Sequence, residues 1–312
     1  MEILVALFYL LSGFAILILG GEFLVKSAVS IAARLDVSPA VIGLTIIAAG
    51  TSAPELMTSI LASLKGTNDI AVGNVVGSNI FNILAILGFA GLLKTNIVEK
   101  NMMKFDVPAL ILFSIIFLGF SYDNIIHRWE GILLLLAYIA FAYVAFKRSR
   151  LDELADEEIA ILKNWPTDLT YLTLGLIALV GGAHISLIGG ESLGRIFGLS
   201  ERVIGITIIS IGTGLPELAT SAVAAYRGQN QIAVANVIGS NIINTLVVIG
   251  ATSSILPLSV NPEILNFDMV WMLAITVAII PIFILNKYKI DKRLSFLLLS
   301  IYTVYLFLIT TH

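Results

Sequence analysis

The 312 residues are 58% hydrophobic and 12% charged, with a formal net charge of −3 and a mean hydropathy of +0.99, far from the roughly 25% charged residues of a soluble domain. This is the composition of an integral membrane protein, and it excludes a nucleic-acid partner because the few basic residues are scattered between apolar runs and form no patch. The absence of cysteine excludes disulfides, thiolate metal sites and thiol nucleophiles.

A bilayer span takes about 20 apolar residues. Ten stretches qualify in chain order, near 3–25, 38–64, 70–93, 106–122, 130–146, 169–190, 202–226, 231–258, 268–286 and 294–311. The first follows Met1-Glu2 with no basic segment and runs uncharged from Ile3 to Gly21 without a small-residue cleavage site, so it is expected to be a transmembrane helix. Between the fifth and sixth lies the one sustained polar stretch, Lys147 to Asp168, carrying Asp152, Glu153, Asp156, Glu157 and Glu158. It reads as a solvated linker that divides the chain into a first five-helix unit (1–146), a cytoplasmic linker (147–168) and a second five-helix unit (169–312). Assigned to alternate loops, 14 of the 18 Lys and Arg residues fall on one side and 4 on the other. The positive-inside rule makes the richer side cytoplasmic, with both termini outside a plasma-membrane protein.

Sliding the sequence over itself by 162 residues aligns Val41–Gly88 with Val203–Gly250 without a gap, with 28 of 48 columns identical. The same register equates Gly13 with Gly175, Gly20 with Gly182, and Phe105-Asp106 with Phe267-Asp268. This is an internal duplication. Because each copy holds five spans, the second crosses the membrane in the opposite sense. That is the inverted-repeat design with which secondary transporters build a midplane site open alternately to either side.

Each copy contributes two polar blocks inside its spans: Gly50-Thr51-Ser52-Ala53-Pro54-Glu55-Leu56, answered by Gly212-Thr213-Gly214-Leu215-Pro216-Glu217-Leu218, and Asn74-Val75-Val76-Gly77-Ser78-Asn79-Ile80-Phe81-Asn82, answered by the run from Asn236 to Asn244. A charge at the bilayer centre costs at least about 2.5–3.5 kcal/mol, so two glutamates in matching settings point to one shared site. Pro54 lacks an N–H and its ring collides with the Gly50 carbonyl, which opens the helix and frees carbonyls. Thr51 with Glu55, Ser78 with Asn82, Thr213 with Glu217, and Ser240 with Asn244 are each four apart and share a helical face. The inventory is all oxygen, the donor set of hard cations such as calcium and sodium. Two ionised glutamates neutralise one divalent cation or partly compensate two or three monovalent ones, so the loads exclude one another. Asn74, Asn79, Asn236 and Asn241 read as helix-bridging amides outside the ligand set, and Gly73 with Gly77 as a packing face. His184 reads as a packing residue, Asp106 and Asp268 as interfacial groups, and Tyr122, Trp129 and Tyr288 as membrane anchors.

On these blocks the chain resembles the sodium/calcium exchangers of the cation/calcium antiporter superfamily, prokaryotic type. The resemblance implies an all-α membrane protein of ten transmembrane helices in two inverted-topology five-helix repeats, with cations held between helices 2, 3, 7 and 8. By position, it makes Glu55 and Glu217 the central ligands, supported by Thr51, Ser52, Ser78, Asn82, Thr213 and Ser240, with the backbone carbonyls of Ala48 and Ser210 lining sodium sites. Two departures stand out: Gly214 stands where the family usually has the Ser of Gly-Thr-Ser, and Asn244 occupies a position that is Asp in some relatives, including potassium-dependent exchangers, and Asn in others. Asn244 lowers the site's negative charge by one and favours potassium-independent exchange. The expected function is sodium/calcium antiport with no enzyme activity, no cofactor and no obligatory protein partner, the ions and the lipid bilayer being all that it meets. Proton/calcium exchange is the nearest alternative, and a cation channel or a membrane sensor the more distant ones.

Overall fold

The computed structural model describes residues 2–149, 161–198 and 210–311. With no water in hydrocarbon, backbone polar groups must be satisfied within each segment, and the regular structure of the described residues is accordingly helical apart from four two-residue strands. Its helices are α1 (Glu2–Leu35), α2 (Pro39–Thr51), α3 (Ala53–Leu64), α4 (Asn68–Leu93), α5 (Lys100–Phe120), α6 (Arg128–Ser149), α7 (Trp165–Ile196), α8 (Ser210–Thr213), α9 (Leu215–Arg227), α10 (Asn230–Ile255), α11 (Ile264–Leu285) and α12 (Lys292–Thr311). Eight of these are long and apolar enough to cross a membrane, and α2 with α3 form a ninth span bent by 43°. The seventh candidate span, 202–226, falls partly on residues 199–209, outside the described residues; α8 and α9 are its described part.

The spans divide by burial. In their most apolar windows α4 and α10 are 83% and 94% buried, against 22–33% for the other long spans, so this pair is enclosed by protein and the rest face lipid. Around the pair lies the larger apolar core, with Val75, Val76, Ile80, Ile86, Val237, Ile238, Ile242 and Val248 at its middle. The longest helices, α1 and α7, run antiparallel along one flank. A Cβ on Gly20 would stand 2.9 Å from the Leu179 nitrogen, and one on Gly175 2.9 Å from the Leu24 nitrogen, so glycine is what lets these two backbones approach.

Short ribbons tie the loops. Strand β1 (Asn96–Ile97) pairs antiparallel with β4 (Lys289–Ile290), and β2 (Ile125–Ile126) with β3 (Leu258–Ser259). The 162-residue register equates β1 with β3, yet they lie in different ribbons. The pairings also join loops that the charge count had placed on the same side.

The polar connector ends sooner than expected. Residues 150–160 lie outside the described residues, and α7 begins at Trp165, with the Asn164 carboxamide accepting the Thr167 N–H at 3.0 Å as its cap. Asp168 therefore belongs to the helix and is fully buried. It is ion-paired with Arg34 and accepts the Ser30 hydroxyl at 2.6 Å, while the Arg34 guanidinium also donates to the Leu162 carbonyl.

Candidate functional site

The site begins where two helices are interrupted. Pro54 sits in the first turn of α3 and Pro216 in the first turn of α9, and the residues before those turns, Ser52 (φ −81°, ψ 7°) and Gly214 (φ −83°, ψ 1°), leave helical geometry in the same way. Each break starts a new helix whose first turn carries a buried glutamate, Glu55 or Glu217. The partly positive helix N-terminus favours an anion there.

The enclosed pair contributes the amides. In α4 a wide π-helical turn opens at Asn82 and runs to Ile86; in α10 its counterpart opens at Asn244 and runs to Val248. Such turns interrupt regular hydrogen bonding and recur at functional sites. The Asn82 turn packs against α9 and the Asn244 turn against α3, so each turn lies against the glutamate helix of the other copy. The break and the turn are thus interleaved across the duplication.

One hydrogen bond holds a carboxylate directly, and others brace the glutamate backbones. The Ser52 hydroxyl donates to Glu217 Oε1 at 3.0 Å across the two copies. Asn74 Nδ2 donates to the Glu55 carbonyl at 3.3 Å and to Ser59 Oγ at 3.1 Å; in the second copy Asn236 Nδ2 donates to the Glu217 carbonyl at 3.4 Å and to Ser221 Oγ at 2.9 Å. These two asparagines brace the glutamate backbones, matching the bridging role expected for them. Thr51 is buried, its Oγ1 3.3 Å from the Ala48 carbonyl and 3.4 Å from Asn236 Oδ1.

Among the described residues, four carboxylate and amide oxygens of the site are buried without a hydrogen-bond partner: Glu55 Oε2, Glu217 Oε2, Asn82 Oδ1 and Asn244 Oδ1. They are two pairs related by the repeat register. Desolvating a carboxylate costs several kcal/mol unless it is compensated, and among the described residues neither glutamate has a cationic side-chain partner. An oxygen-only set with two charges has the donor chemistry of calcium or sodium.

Of the other expected ligands, Ser78 and Ser240 are buried one turn before Asn82 and Asn244. Thr213 closes α8 and is half-buried, while Ser210 opens α8 and its side chain lies outside the described residues. The Ala48 carbonyl already accepts the Ser52 N–H at 3.0 Å, so it is engaged at the break. The two aspartates expected at the interface have partners: Asp106 is buried and lies 3.5 Å from Arg148, and Asp268 accepts the Tyr305 hydroxyl at 2.8 Å. His184 is exposed, whereas its register counterpart Glu22 pairs with Lys26 and Arg227.

The Gly214 departure has a steric cause. A Cβ on Gly214 would lie 2.8 Å from the Phe81 ring, which packs on Tyr302 at a centroid distance of 5.6 Å. In the second copy Ile243 stands where Phe81 does in the first. Phe81 was not singled out in the sequence, because only the folded chain brings it to the opposite break.

Known proteins resemble the chain over nearly its whole length. The family model described as sodium/calcium exchanger protein matches residues 5–147 and again 168–311. The putative antiporter CaxA of Alkalimonas amylolytica is 38% identical, the match covering 89% of each chain, and the sodium/calcium exchanger MaX1 of Methanosarcina acetivorans is 32% identical over 95% of this chain and 96% of its own. Solved structures of the sodium-calcium exchanger NCX_Mj, soaked with sodium and strontium, superpose with a TM-score of 0.84 at 29% identity, covering 97% of this chain and 98% of theirs. The chain, a multi-span helical membrane protein, belongs to the sodium/calcium exchanger family, whose members are cation/calcium antiporters and not enzymes.

Proposed function

We propose that this protein exchanges sodium for calcium across the plasma membrane through one site built from both copies of the duplication. The observation that carries the reading is the set of four buried, unpartnered oxygens on Glu55, Glu217, Asn82 and Asn244. One calcium ion neutralises the two carboxylates, and sodium ions replacing it compensate the same charges, so each load displaces the other. Ser78, Ser240, Thr51, Ser52, Thr213 and the Ala48 and Ser210 carbonyls complete the oxygen shell around these positions. No cofactor enters the cycle.

Ten helices in two inverted five-helix repeats, 1–146 and 169–312 about the 147–168 connector, are the architecture this function requires. Its support is the antiparallel run of α1 beside α7, its copy, and the exchange of strand partners between the two ribbons. An inverted pair can tilt to expose one midplane site to either side in turn. With the Lys- and Arg-rich loops cytoplasmic, both termini are extracellular.

Equilibrium binding of radioactive calcium to the purified chain tests the site. One calcium per chain, displaced steeply by sodium and lost in Glu55→Gln, is expected; calcium binding that is unchanged in Glu55→Gln would place the site elsewhere.

A further inference from the structure

The carboxamides of Asn82 and Asn244 serve as cation ligands only if their oxygens, and not their NH2 groups, face the site. An asparagine amide can turn either way, and its orientation is decided by what holds the other end. In this protein a chain of hydrogen bonds across the enclosed helices decides it. Asn241 Nδ2 donates to the main-chain carbonyl of Asn79 at 3.1 Å. A carbonyl can only accept, so the Asn241 amide has one allowed orientation, and its Oδ1 is left to receive Asn82 Nδ2 at 2.9 Å. The NH2 of Asn82 is thereby committed away from the site and its Oδ1 is the unpartnered atom.

The opposite arm is built differently. Asn244 Nδ2 donates to Asn79 Oδ1 at 3.2 Å, and Asn79 Nδ2 is in turn directed to Thr245 Oγ1 at 3.2 Å and to the Met272 thioether at 3.5 Å, again an acceptor only. Asn244 Oδ1 is left unpartnered like its counterpart. All four asparagines are buried, so water does not compete for these bonds.

The geometry points to Asn241 and Asn79 as positioning residues for calcium binding: each turns the carboxamide oxygen of its neighbour on the facing helix, Asn82 or Asn244, into the site. The inference rests on the site reading above. It also explains why an asparagine suits position 244, since a carboxylate there would set an acceptor against Asn79 Oδ1. The two arms are separable. Asn79→Ala removes the side-chain acceptor of Asn244 but keeps the main-chain carbonyl that orients Asn241, so it acts through Asn244 alone; Asn241→Ala acts through Asn82 alone.

Calcium dissociation constants of the full chain in detergent test this, with the melting temperature without calcium as a measure of packing. Asn82→Ala and Asn241→Ala are each expected to weaken calcium about tenfold, the loss of one well-placed ligand, and the double variant to bind no more weakly than Asn82→Ala. Equal, multiplying losses in the double variant, or a lowered melting temperature with calcium affinity unchanged in Asn241→Ala, would reduce Asn241 to a packing residue and overturn the inference while leaving the site intact. Wild-type affinity in Asn82→Ala would refute the site reading at that ligand, and the inference with it. Should Asn241→Ala fail to fold, Asn79→Ala against Asn244→Ala decides by the same criterion.

Discussion

Replacing Gly214 with serine restores the motif residue that the first copy carries, and the fold predicts that it harms the protein. The new Cβ would stand 2.8 Å from the Phe81 ring, at least about 0.7 Å inside the 3.5–4.0 Å of a comfortable carbon contact. Phe81 is almost fully buried and rests against Tyr302, so the ring has little room to withdraw. Overpacking of this kind costs about 1–3 kcal/mol. Phe81→Ile, which copies Ile243 of the second repeat, removes the obstacle at the expense of a cavity. Combined, Gly214→Ser and Phe81→Ile are therefore expected to be less destabilising than their sum, with a coupling of about 1 kcal/mol or more. Thermal unfolding in detergent for the four members of the cycle measures it. Additive effects, or a Gly214→Ser variant as stable as the parent, would refute the steric account of the missing hydroxyl. By the repeat register the serine of the double variant faces Glu55 as Ser52 faces Glu217, so the same protein should also show a changed sodium dependence.

Other outcomes follow from the bonds around the site. Ser52→Ala removes the donor to a buried carboxylate, a bond worth about 1.5–3 kcal/mol, and calcium affinity measured by equilibrium binding should fall about tenfold or more; no change would show that the hydroxyl does not hold Glu217. Glu217→Gln leaves one carboxylate for a divalent ion and should abolish calcium uptake by vesicles, with retained transport arguing against a shared site. Away from the site, Arg34→Ala strands the fully buried Asp168 carboxylate, a loss of about 3–5 kcal/mol visible as a lower melting temperature, which Arg34→Lys should partly restore. Equal melting temperatures for all three proteins would mean that Asp168 is compensated by other groups.

Much of this architecture is legible in the sequence because hydrocarbon leaves few choices. Apolar run lengths mark the spans, Pro54 and Pro216 mark the breaks, and the 162-residue register shows that Glu55 and Glu217 occupy equivalent places. Other features depend on distance between segments far apart in sequence. The Ser52–Glu217 bond crosses 165 residues, and no local pattern distinguishes it from a bond to Glu55. Likewise Asn79 and Asn241 read as generic bridging amides, since only the facing of α4 and α10 shows which atom each one orients. Asp168 looked solvated because it closes an acidic stretch; its burial comes from Arg34 and Ser30 on α1, which the order of residues around it does not announce. Gly214 is unexplained along the chain and explained by one ring.

The account centres on sodium-coupled exchange, and flux through sealed vesicles measures that directly. Vesicles containing the purified protein and loaded with calcium should release it when sodium is supplied outside, at a rate that rises steeply with sodium, and should hold it when a pH gradient alone is imposed. Release driven by the proton gradient, with sodium without effect, would contradict the account.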